Sequence, residues 1–118
     1  MISLSQEQFT RFRQSSADAF YDKLRRELRD FMAEKLSDVP NDEVDARITQ
    51  AFHICHQHRF WTEKEITRLS FILVTFPYAF PKMTQYQWLS GLITARASAE
   101  VRLQRIKAYI TAGSKKHG

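Results

Sequence analysis

The stretch Trp61-Thr62-Glu63-Lys64-Glu65-Ile66 carries a complete helix-start signal. Thr62 stands at the N-cap, Glu65 three residues on completes a capping box, and Trp61 with Ile66 forms a hydrophobic staple. The same grammar recurs at Leu4-Ser5-Gln6-Glu7-Gln8-Phe9 and at Met83-Thr84-Gln85-Tyr86-Gln87-Trp88. Each opens a segment whose apolar residues return at steps of three and four, which segments the chain into helices.

The helix that begins at Glu63 is predicted to run to about Phe76. It carries Ile66, Leu69, Phe71, Ile72, Leu73, Val74 and Phe76. Its second half is apolar all round, as expected of the most enclosed element of a bundle. Upstream, Phe9, Phe12, Phe20, Leu24, Leu28, Phe31, Met32 and Leu36 mark one long helix over about 6–36, with Ser15-Ser16 as a point where it could bend. Its polar face offers the i,i+4 pairs Asp22/Arg26, Arg26/Asp30 and Lys23/Glu27. Pro40 ends that helix's turn, and Asn41 is expected to cap a second helix with the acidic first turn Asp42, Glu43, Asp45. Val44, Ile48, Ala51, Phe52 and Cys55 give that helix its buried face, and it ends near His58.

Downstream, Pro77 and Pro81 hold an irregular connection. Leu92, Ala95, Ala99, Leu103, Ile106 and Ile110 then keep helical spacing, so one long final helix is expected, with a separate start at Ser98 as the alternative. Gly113 fits a C′ stop, with 114–118 as a flexible tail. The expectation is one all-α domain over 1–113, a four- or five-helix bundle with long first and last helices.

Composition narrows the function. With 118 residues, 43% of them hydrophobic, the chain is sized for one packed core. Three glycines leave no phosphate-cradling loop or dinucleotide fingerprint, and one cysteine leaves no internal disulfide. The longest nearly unbroken apolar run, Phe71 to Phe80, is too short to span a bilayer, and the N-terminus lacks a signal peptide's apolar stretch. A soluble, cytoplasmic protein is expected. The net charge of +5 is one-sided: residues 1–81 carry 11 Lys and Arg against 12 Asp and Glu, whereas 82–118 carry seven against Glu100 alone. Such a field steers acidic partners.

The residues offer four candidate chemistries. His53-Ile54-Cys55-His56-Gln57-His58 holds four metal-ligating types, but His53/His56 and Cys55/His58 form two helical pairs that point in different directions. A closed zinc site needs four convergent ligands, so a metal site ranks as the second alternative. Cys55 lies on the apolar face, where a thiol is a poor nucleophile. The carboxylate pairs Asp18/Asp22 and Asp42/Asp45 fall on solvated faces. No catalytic constellation, cofactor or enzyme activity is expected. Arg96, Arg102, Arg105 and Lys107, with Lys115 and Lys116, make nucleic acid the first alternative. On a continuous helix, however, Lys107 lies about 20° from Arg96, while Arg105 and Arg102 lie near ~180° and ~240°, flanking the stripe instead of forming one ridge.

The richest segment is 76–88, with five aromatic residues in thirteen and two prolines. Phe76, Phe80 and Trp88 are expected to fold inward. Tyr78, Tyr86 and Lys82 remain as candidate partner contacts, with Phe60 and Trp61 bordering the same end and Arg96, Arg102, Arg105 and Lys107 completing the set.

The capped start Ser5 to Phe9, then Ile48, Ala51, Trp61-Thr62-Glu63, Phe71 to Phe80 and Trp88 with Leu92, resemble in their spacing the small helical proteins encoded beside bacterial type VI secretion effectors. Pro77 and Tyr78 stand where that class shows a glycine and an acidic residue. The resemblance implies an adaptor, chaperone or immunity-like protein that binds an effector or toxin without catalysing a reaction. The expected function is therefore a non-catalytic protein-binding module whose partner presents an acidic or mixed surface. A homo-oligomer is also open to a bundle this short.

Overall fold

The computed structural model describes the backbone of residues 6–117 and the side chains of residues 17–113. Five α-helices follow one another: α1 (Gln6–Lys35), α2 (Asn41–Gln57), α3 (Glu63–Leu73), α4 (Gln87–Ile93) and α5 (Ala99–His117). Two 3₁₀ turns, Phe80–Lys82 and Thr84–Tyr86, lie between α3 and α4. The fold is all-α, and no strand occurs among the described residues. The expected cap at Ser5 with its Leu4/Phe9 staple lies outside the described residues. The helix that follows it continues unbroken through Ser15-Ser16.

The capping box at Thr62 forms as its sequence dictates: Glu65 N donates to Thr62 Oγ1 at 3.1 Å, and Thr62 N donates to Glu65 Oε1 at 3.2 Å. α3 is the central element, packing on α1, α2 and α5, with Ile66, Leu69, Ser70 and Leu73 buried. It stops at Leu73, short of the expected Phe76. Leu24, Leu28 and Met32 of α1, Ile48, Ala51 and Cys55 of α2, Leu89 and Ile93 of α4, and Ala99, Leu103 and Ile106 of α5 join it in the core, with Phe60, Val74 and Phe80 from the connections. Of the surface pairs foreseen on α1, Lys23–Glu27 is present at 4.0 Å. Arg29 instead reaches across to Asp45 of α2, with its Nε 2.9 Å from Oδ1.

Three helix starts differ from the sequence reading. At α2 the N-cap is Pro40, whose extended backbone supplies the carbonyl for Val44 N at 3.0 Å, and Asn41 is the first helical residue. Proline's fixed φ already suits that position, so no side-chain cap is used. At Thr84 no side-chain cap forms either; the chain makes a 3₁₀ turn, and α4 starts at Gln87. The preferred single final helix is broken at residues 94–98, and the alternative start at Ser98 is the one that forms, its Oγ accepting from Val101 N at 3.2 Å. At the other end α5 runs through Gly113 to His117, so Gly113 is a helical residue and not a C′ stop.

Candidate functional site

The break between α4 and α5 builds the most polar interior feature of the molecule. Leaving the helix at Thr94 frees the carbonyl of Ile93. Arg102, one turn into α5, donates from Nη1 to that oxygen at 2.6 Å and to His58 O, at the end of α2, at 2.7 Å. Helix C-termini present unpaired carbonyls and the negative end of the helix dipole, so a cation is the fitting partner for two of them at once. The guanidinium lies over the Phe60 ring, 4.2 Å from its centroid. Arg102 is only 5% exposed, and its Nε has no hydrogen-bond partner. Burial lowers its pKa; nearby Glu65 raises it and nearby Arg59 lowers it further.

Phe60 reaches this place through the ending of α2. Its N–H donates to Cys55 O at 2.9 Å, a Schellman-type closure that needs the preceding residue in the left-handed region. That residue is Arg59, with φ of 67°. Glycine commonly occupies this position, so a left-handed arginine stores local strain there.

A pocket of 370 Å³ opens beside these groups, lined by Gln57, His58, Arg59, Thr94, Ala95, Arg96, Ala97 and Arg102. Three arginines and no acidic residue line it, Arg59 and Arg96 exposed and Arg102 buried with its guanidinium on the two carbonyls. A second pocket of 260 Å³ shares Gln57, His58 and Thr94 with the first and is walled by Ile54, Phe80, Pro81 and Ile93. A cationic hollow and a largely apolar one thus meet across His58 and Thr94.

The sequence-derived candidates divide sharply. Phe60 and Arg102 are buried, which removes both from the surface set: Phe60 is drawn in by the α2 closure, and Arg102 by the two free carbonyls. Trp61 is 66% exposed while Ile66 is buried, so the indole does not follow its staple partner into the core. Tyr78 and Lys82 are exposed. Tyr86 is half-buried with its ring edge-on to Phe76 at 5.3 Å. Trp88 stacks on Tyr109 at 4.0 Å, and with Phe76 and Phe80 these rings close one end of the bundle. Phe80 is in the core as expected, and Phe76 and Trp88 are half-buried against it. Arg96, Arg105 and Lys107 are exposed, but the structure brings only Arg96 to the cationic pocket.

Cys55 is fully buried, its Sγ 3.9 Å from Ile66 O and 3.8 Å from Ser70 Oγ. Burial pushes its thiol up to about 12, partly offset by the Ser70 contact. A thiol so raised and enclosed is no nucleophile at neutral pH. His53 and His56 are exposed and His58 half-buried, and among the described residues no three His, Cys, Asp or Glu side chains converge on a metal position. No helix among the described residues is long and apolar enough to cross a membrane.

Arg59, Gln57 and Thr94 were not singled out from the sequence. Arg59 carried a usable signal, since it falls two residues past the end of α2, where a left-handed residue is common. Neither a family model, nor a curated protein, nor a solved structure matches this chain.

Proposed function

We propose that this protein is a non-catalytic binding module for another protein, with Trp61 as its principal contact. The observation that carries this reading is Trp61 itself: a tryptophan two-thirds exposed on a rigid support. Its backbone N donates to Glu65 Oε1 at 3.2 Å, within the capping box that opens α3. A solvent-facing indole outside the core offers a large contact area with few rotatable bonds, and tryptophan and arginine dominate interface energetics. Arg59 lies two residues before it, and Arg96 shares Arg59's pocket, so the same end offers a cationic surface to an acidic partner. The resemblance in spacing to effector-associated accessory proteins makes a secreted effector or toxin the first partner class to test.

The test is affinity purification from the source cells with wild-type and Trp61→Ala baits in parallel. A partner enriched on the wild type, lost on Trp61→Ala and reassembled from purified components at micromolar concentration is the expected result. Identical partners on both baits, with the variant shown by circular dichroism to be folded, would refute the assignment.

A further inference from the structure

The cationic pocket has a chemistry of its own. Among the described residues, none of Arg59, Arg96 and Arg102 lies within ion-pair distance of a carboxylate; the ion pairs present are Lys23–Glu27, Arg29–Asp45, Lys35–Glu34 and Arg47–Glu43. Arg102 is held by two carbonyl dipoles and a ring face, which leaves a full buried charge without a counter-ion and its Nε unpaired. Glu65 is the one carboxylate that bears on it electrostatically, and that side chain is committed to the capping box. Ala95 and Ala97 of the lining lead into α5, while His58 and Thr94 stand at the C-terminal ends of α2 and α4, whose carbonyls Arg102 already occupies. A lining with three arginines and no acidic residue suits an oxyanion. The adjoining pocket, walled by Ile54, Phe80, Pro81 and Ile93, asks for an apolar group attached to that anion.

We propose that the two pockets together bind the carboxyl end of a partner polypeptide whose last residue is apolar. The α-carboxylate is taken by Arg59 and Arg96, the two exposed arginines of the lining, and the last side chain lies against Phe80 and Ile93 of the adjoining pocket. Guanidinium recognises carboxylate through paired N–H donors, which gives direction as well as attraction. This inference rests on the protein-binding reading and names the part of the partner that is recognised.

The test is an NMR titration of the full chain with three probes: acetyl-Leu-Leu as the free acid, the same peptide as its C-terminal amide, and inorganic phosphate. The free acid should shift the amide signals of His58, Arg59 and residues 94–97. The amide should bind at least about tenfold more weakly, as expected when a charge-assisted contact is lost. Arg59→Gln with Arg96→Gln should abolish the shifts, and Arg96→Gln alone should weaken binding if the double variant does not fold. Equal binding of acid and amide, or no response at those positions, overturns the inference. Phosphate binding as tight as the free acid overturns the chain-end assignment and leaves a simple anion site. Trp61→Ala should leave this titration unchanged while failing partner capture, so the two readings fail separately.

Discussion

Replacing Arg102 with methionine tests whether a buried cation holds the broken C-terminal third to the rest of the bundle. The substitution keeps an unbranched apolar stem, shorter by two atoms, and removes the guanidinium. Two charge-assisted hydrogen bonds, to His58 O and Ile93 O, are lost at roughly 1.5–3 kcal/mol each. The cation over Phe60 at 4.2 Å adds about 1–2 kcal/mol in a desolvated site. Against this, the variant no longer buries a charge with an unpaired Nε, a relief of about 1–3 kcal/mol. The net loss is about 4 kcal/mol, a large share of a total stability of roughly 5–15 kcal/mol. Urea unfolding followed by far-UV circular dichroism should show a lower midpoint at unchanged slope, and thermal unfolding a midpoint lower by roughly 15 °C. Arg102→Lys keeps the charge without the planar fork and should fall between the two. A loss below about 1 kcal/mol in Arg102→Met would refute the reasoning, because the two carbonyls would then be satisfied without the guanidinium.

Three further outcomes follow from single residues. Arg59→Gly removes a side chain from a left-handed position with φ of 67° and should stabilise the protein by about 0.5–1 kcal/mol in the same urea assay. Gly91 lies inside α4, where an added Cβ would meet nothing within 4 Å, so Gly91→Ala should raise stability by up to about 1 kcal/mol. Cys55 should resist thiol reagents in the native protein at pH 8 and react fully in denaturant. Its raised pKa also means that the unfolded thiol ionises first, so stability should decline as pH rises from about 9 towards about 12, a slope that Cys55→Ala should reduce and the likewise raised Tyr21 should keep from vanishing.

What the sequence made legible was local. The Thr62–Glu65 capping box, the enclosure of α3 and the burial of Cys55 all depend on residues within one or two turns of each other, and all were readable. The break at 94–98 was legible only as the alternative start at Ser98, because Leu92, Ala95, Ala99, Leu103 and Ile106 keep helical spacing straight across it. What ends α4 is partly tertiary: Thr94 Oγ1 bonds back to Ser90 O at 2.9 Å, and the Ile93 carbonyl is taken by Arg102 instead of by the next turn. The same break invalidates the angular map for Arg96 alone, since Arg102, Arg105 and Lys107 share the unbroken α5. Phe60 was misjudged for a related reason, since its burial follows from a left-handed arginine that propensity alone does not favour. Arg59, Arg96 and Arg102 meet because three chain segments, 57–60, 94–97 and the first turn of α5, converge. That is a property of packing and not of spacing.

The convergence ties stability to the proposed site through one residue. An apolar residue at position 102 would avoid burying a charge, but it would leave the ends of α2 and α4 without a partner and lower the potential of the pocket between them. Arg96, exposed on the same pocket and outside that hydrogen-bond set, has no such structural duty. Arg96→Gln should therefore weaken carboxylate binding while shifting the urea midpoint by less than the equivalent of about 0.5 kcal/mol. Arg102→Met should lower both, and excess free-acid peptide should restore part of the wild type's lost stability under destabilising conditions while restoring less of the variant's, since a ligand stabilises only in proportion to its affinity for the folded state. If instead the two variants lose peptide binding and stability in the same ratio, the pocket's cations act only as struts, and the carboxyl-end reading fails with them.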